Sequence, residues 1–135
     1  MALHPNVARA TRAEEVRERG TFEPEDMAVL EDYLDENVVW HGRDNWPDTV
    51  GRDNVIGQMK GFKAATGGTL KLHMGDIYAD AKHAVVICRL TAERNGKSMD
   101  VTEVNLFHFN DAGKVTEFWG IALDGGVAQD AFWSE

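Results

Sequence analysis

The stretch "TAERNGKSMDVTEVNLFHFNDAGKVTEFWG", residues 91–120, decides how this chain folds. Asn95-Gly96 is the dipeptide of a two-residue hairpin turn, and Asn110 to Gly113 supplies a second turn. The run between them reads as a strand with an antiparallel neighbour on each side. Alternation places Val101, Glu103, Asn105, Phe107 and Phe109 on one face and Asp100, Thr102, Val104, Leu106 and His108 on the other. Upstream, "TLKLHMGDIYAD" and "AKHAVVICRLTAERNG" are two further strand-like runs, separated at Asp80-Ala81. Downstream, "AGKVTEFWGIALD" is a fourth. Four strands in sequence order with short turns form an antiparallel meander.

The N-terminal half has a different period. Pro5 to about Arg19 reads as a helix stopped by Gly20, although Val7, Ala10, Ala13 and Val16 give it only a thin apolar face. A second helix runs from Pro24, suited to a first turn, to about Leu34. Asn37 to His41 is short and β-branched and reads as a strand. A third helix spans about Asp53 to Lys63, with Val55, Met59 and Phe62 on one stripe. The expected fold is therefore α+β, with three N-terminal helices packed on a curved, mostly antiparallel sheet. No repeat or linker divides the 135 residues, so one domain over 1–135 is expected.

Composition narrows the function. The chain carries 14 Lys and Arg against 23 Asp and Glu, a formal charge of -9, which repels phosphate backbones and anionic membranes. Nucleic acid is not an expected partner, nor is a membrane, since no apolar run is long enough to span one. The first twenty residues lack the apolar core of a secretory signal. Cys88 is the single cysteine, so no internal disulfide can form, and a cytoplasmic setting is expected. The five histidines show no helical pair or carboxylate spacing of a metal site. No phosphate loop, dinucleotide fingerprint or G-x-S-x-G elbow is present, and no cofactor is expected.

The order of helices, then "VVWH", then "GRDNVIGQM", then four strands ending in "GKVTEFWG" resembles the SnoaL-like branch of the nuclear-transport-factor-like superfamily. The resemblance covers nearly the whole chain and is weakest over the first 20 residues. It implies a cone-shaped α+β barrel with an apolar pocket, and a homodimer through the outer sheet face. It also implies several chemistries, because related members include polyketide cyclases, ketosteroid isomerases, dehydratases, epoxide hydrolases and proteins that only bind.

The resemblance makes the Glu103/Asn105 face the pocket face. Asn105 stands where ketosteroid isomerases carry a protonated Asp and SnoaL-like cyclases a His. It could donate to an enolate oxygen but cannot transfer a proton. His41 falls at the isomerase base position, and a neutral imidazole there could lift a proton beside a carbonyl. On that reading His41→Ala abolishes activity, and Val38 and Trp40 on the alternate face go to packing. Glu103 is a second candidate acid. Tyr33, Trp46, Phe107, Trp119 and Asp124 complete the expected substrate contacts, with Asp124 reading more simply as part of a turn. Glu117 is expected on the outer face beside Arg89 or Lys114.

One departure matters. The cyclases carry an essential acid directly after the final-strand Trp, and here Trp119 is followed by Gly120. The expected function is cofactor-independent proton transfer, of isomerase, cyclase or dehydratase type, on a small apolar carbonyl compound. The alternative is a non-catalytic module of the same fold that binds a small molecule or a partner protein.

Overall fold

A computed structural model describes residues 3–43 and 46–134. Its elements are helix α1 (Pro5–Arg19), helix α2 (Pro24–Tyr33), strand β1 (Leu34–His41), strand β2 (Thr49–Val50), helix α3 (Arg52–Ala65), strands β3 (Lys71–Ala79), β4 (His83–Arg94), β5 (Lys97–Phe109) and β6 (Val115–Ala122), and helix α4 (Val127–Trp133). The strands form one open sheet in the order β2-β1-β6-β5-β4-β3. β1 runs parallel to β6 and every other pair is antiparallel.

The long β4–β5 hairpin anchors the sheet. Its register runs unbroken from Arg94↔Lys97 to His83↔His108. At the turn, Asn95 and Gly96 take φ of 51° and 76°, the left-handed conformation a tight hairpin requires. α1 begins with Pro5 in its first turn, capped by the His4 ring accepting from the Asn6 amide at 3.1 Å. Its small buried residues, Ala10, Ala13 and Val16, let the helix lie close against the sheet. α2 opens with a capping box between Glu23 and Asp26, and Asp26 also accepts from Arg19 at 2.6 Å.

The main core lies between the helices and one sheet face. Phe118 is fully enclosed, with Trp40 stacked on it at 5.3 Å and Phe107 at 5.1 Å. Tyr33 packs edge-on against Phe109 at 5.8 Å. Burying each such ring contributes about 1.5–3 kcal/mol. β5 presents Val101, Glu103, Asn105, Phe107 and Phe109 to this inner side, each buried.

Two features depart from the sequence expectation. The sheet is open, with edges at β2 and β3, so it is not a closed barrel. A fourth helix, α4, follows the meander where a turn was expected, and its Phe132 packs with Ala92, Met99 and Val101 as a second small core. Asp124 holds the start of that helix, accepting from the Gly126 and Ala128 amides at 2.8 and 3.0 Å. No helix of the described residues is long and apolar enough to cross a membrane.

Candidate functional site

Between the inner sheet face and helices α1, α3 and α4 lies a cavity of about 170 Å³. Its walls are largely apolar: Trp40, Trp46, Met59, Phe62, Leu72, Leu90 and Trp133 among others. Among the described residues, the charged side chains on its lining are Arg17, Arg43, Lys63 and Glu103, with Gln129 beside them. His41 also borders it. This composition, apolar walls with a few convergent polar groups, is that of a small-molecule site.

Glu103 is the carboxylate of the wall. Its residue is 8% exposed, and Oε2 accepts from Gln129 Nε2 at 2.9 Å. The other oxygen, Oε1, lies over Gly120. A Cβ built at that glycine would stand 2.9 Å from Oε1, 3.1 Å from the Glu103 carboxyl carbon and 3.3 Å from Asn105 Oδ1. Asn105 pairs with Gly120 across the sheet and Glu103 with Ala122, so the longer Glu103 side chain reaches over the neighbouring strand. The position after Trp119 thus lacks a side chain of its own and is occupied by a carboxylate delivered from β5.

Beneath this carboxylate, Asn105 Nδ2 donates to Cys88 Sγ at 3.1 Å. Burial pushes the Cys88 thiol up to about 12, so it is a packed thiol and not a nucleophile. On the opposite wall, Arg17 Nη1 meets both oxygens of Glu14 at 3.2 Å. Burial raises the Glu14 carboxyl above its ordinary range, with the Arg17 guanidinium opposing that shift.

The expected site residues do not all converge. Glu103 and Trp46 line the cavity, and His41 borders it. Yet the His41 ring stacks on Trp119 at 4.6 Å, and its Nε2 meets Glu117 Oε1 at 2.9 Å. Val38 and Trp40, expected to point away from the site, are the inward residues of β1, and Trp40 itself lines the cavity. The reason is physical: Val38 and Trp40 gain more by burial against Phe118 than an imidazole would.

Trp119 is likewise on the outer face, with the His108 ring at 4.9 Å. Glu117 sits between His41 and His108, not beside Arg89 or Lys114; Arg89 pairs with Asp100 at 2.7 Å. The hydrogen bond from His41 is the main reason its carboxyl lies below the ordinary range. Tyr33 and Phe107 are core residues away from the cavity lining, and Asp124 caps α4. The Tyr33 hydroxyl is buried without a hydrogen-bond partner among the described residues, and burial raises its pKa.

Sequence reasoning missed Arg17, Gln129 and Trp133. A signal existed for the first: Ala10, Ala13, Glu14 and Arg17 follow helical spacing, so the charged pair continues the buried stripe of α1. Gln129 and Trp133 come from α4, whose seven residues after two glycines offer little periodicity.

Comparison with known proteins agrees with this architecture. The SnoaL-like domain profile matches residues 14–118. The chain belongs to the SnoaL-like domain family. Among solved structures it is similar to Bal32a from a soil-derived mobile gene cassette, at 33% identity and TM-score 0.74, covering 93% of this chain and 99% of that one. It shares its fold with IdmH of Streptomyces antibioticus, described as a candidate polyketide cyclase, at 19% identity and TM-score 0.69 over 95% and 97% of the two chains. A candidate SnoaL-like polyketide cyclase from Jannaschia sp. CCS1 superposes with TM-score 0.71 at 16% identity, over 100% and 99% of the chains. No curated protein matches the chain. Among the described residues, no group of three or more His, Cys, Asp or Glu side chains could hold a metal ion.

Proposed function

We propose that this SnoaL-like protein is a cofactor-independent enzyme that moves a proton on a small, largely apolar carbonyl compound bound in the cavity. One observation carries the reading: among the described residues Glu103 is the carboxylate on the cavity wall, it is held by Gln129, and its Oε1 has no hydrogen-bond partner. A carboxylate so placed can accept a proton from carbon beside a carbonyl, leaving an enolate and a neutral carboxylic acid. Returning that proton to a different carbon completes an isomerisation. Loss of a leaving group from the enolate, or attack by it on a second carbonyl, gives the dehydratase and cyclase outcomes.

Glu103 therefore takes the role that the sequence reading gave first to His41. Asn105 acts as a positioning residue beneath it, and Trp46 and Trp40 shape the space for the ring. Self-association through the outer sheet face belongs to the same proposal. Among the described residues no helix covers that face, which carries Leu106, Trp119 and Ile121.

The second reading is a binding module without catalysis. It is favoured by the turning of the His41 ring toward Glu117, which leaves Glu103 without an imidazole partner among the described residues. A thermal-shift screen of conjugated ketones, phenolic compounds and steroids, followed by turnover assays of each stabilising scaffold, separates the two. Catalysis predicts turnover that Glu103→Gln abolishes while ligand stabilisation persists. Stabilisation with no turnover in either protein supports the binding module.

A further inference from the structure

Arg17 is an unexpected residue to find on the wall of an apolar cavity. Its side chain is 13% exposed and its partner Glu14 only 2%. Both Glu14 oxygens are bound by the same nitrogen, Nη1, at 3.2 Å. Among the described residues, Nε and Nη2 have no hydrogen-bond partner. Nor are these atoms sealed in the interior, as Arg52 Nε and the Tyr33 hydroxyl are. Arg17 borders the cavity, and it is this side chain whose Nε and Nη2 keep donors to spare.

That edge has a defined chemistry. Nε–H and one Nη–H point in parallel and match two oxygens of a carboxylate, or converge on one oxyanion. A buried guanidinium with unused donors is costly, and a ligand oxygen supplies the missing bonds. The surrounding charges favour an anion. Lys63 borders the same cavity, with its Nζ on the Leu70 carbonyl at 2.6 Å and no carboxylate partner among the described residues. Arg43 engages Asp130 at 2.8 Å. Facing Arg17 are Glu14 on its own helix, Glu103 from β5 and the un-ionised Cys88 thiol from β4. Burial raises the Glu14 carboxyl above its ordinary range, and the Arg17 guanidinium opposes that shift. Among the described residues of the wall, Glu103 is the opposing carboxylate.

We propose that the cavity selects an apolar ring compound that carries an oxyanion, a carboxylate or an ionised enol or phenol, and that Arg17 is the residue that recognises it. The inference rests on the reading of this cavity as a ligand site, and it does not require the proton transfer. The oxyanion sits on the Nε–Nη2 edge of Arg17 while the ring fills the space between Trp40, Phe62 and Trp133.

The test is isothermal titration calorimetry with matched probes: naphthoate against methyl naphthoate, and nitrophenolate above its ionisation pH against nitroanisole. The expected result is that at least one anion binds about 10- to 100-fold more tightly than its neutral partner, as for a charge-assisted hydrogen-bond pair. The arm that shows the preference identifies the oxygen donor as carboxylate or phenolate. Arg17→Met alone strands Glu14 in the interior, so the double variant Arg17→Met/Glu14→Leu, with its melting curve recorded, is the partner experiment. It should bind anion and neutral probe equally, whereas Lys63→Gln should lower the preference without abolishing it. Glu103→Gln removes the opposing anion and should retain or increase it. Should the double variant fail to fold, Arg17→Lys, which keeps a cation beside Glu14 but loses the Nε–Nη2 edge, should lose most of the preference. Equal binding of charged and neutral probes, binding of neither, or a preference that survives in a folded double variant overturns the proposal. An anion preference in a protein that turns nothing over refutes the proton-transfer reading and leaves this one standing.

Discussion

Replacing Gly120 with Ala would bring a Cβ to 2.9 Å from Glu103 Oε1, so either the carboxylate or the strand must move. Overpacking of this kind costs about 1–3 kcal/mol, and here it also displaces the proposed proton carrier. Gly120→Ala is expected to lower the melting temperature and to cut turnover more than it weakens ligand binding. A wild-type melting curve and rate would show that Glu103 does not need the space over Gly120. With Glu103 as the proposed proton carrier, the expected outcome at His41 differs from that of the sequence reading. His41→Ala removes the stack on Trp119 and the bond to Glu117, a loss of about 0.5–1.5 kcal/mol, and should leave proton transfer largely intact. Alternation correctly separates His41 from Trp40, but periodicity alone does not say which face is inside. The burial of Val38 and Trp40 against Phe118 makes that choice.

At the scale of elements, β4, β5 and β6 were legible because their turn dipeptides and alternation agree. α1 was legible from Pro5 and Gly20, though not its role, since its thin apolar face of Val7, Ala10, Ala13 and Val16 leaves out Glu14 and Arg17, whose burial follows from docking on the sheet. α4 was not legible. Its stability is tertiary: Phe132 is 2% exposed among Ala92, Met99 and Val101, and Arg94 and Lys97 donate to the carbonyls at its end. Phe132→Ala is expected to cost about 3–5 kcal/mol and to loosen the helix that carries Gln129 and Trp133. Chemical denaturation measures the first effect, and ligand stabilisation of the folded fraction measures the second. A change under about 1 kcal/mol would mean that α4 is not docked as described.

At the scale of the whole molecule, ionisation acts in two directions. Asp26, Asp80, Asp100, Asp111, Asp124 and Asp130 lie below their ordinary value of 3.8, and Glu117 lies below 4.5, chiefly through hydrogen bonds and paired cations. Such groups bind protons less tightly folded than unfolded. Their contribution is present above those ordinary values and lost as pH falls through the folded ones. Glu14 is the reverse case: its folded pKa is raised by burial, so its contribution is complete below 4.5 and lost as pH rises through the folded value. The melting temperature should fall steeply on acidification below about pH 4. Glu14→Gln should flatten the decline that sets in as pH rises above 4.5, read from melting curves of both proteins across that range. A Glu14→Gln profile parallel to wild type would show that Glu14 does not titrate in that window.

The central claim is that Glu103 moves a proton on carbon, and deuterium exchange tests it most directly. Cyclic ketones, with and without a ring carboxylate, would be incubated with the protein in heavy water. Loss of the proton signals beside the carbonyl would be followed by NMR. The account predicts that the wild type accelerates exchange on at least one ketone and that Glu103→Gln, folded and still binding it, does not. Exchange no faster than in buffer, or equally fast with Glu103→Gln, would contradict it.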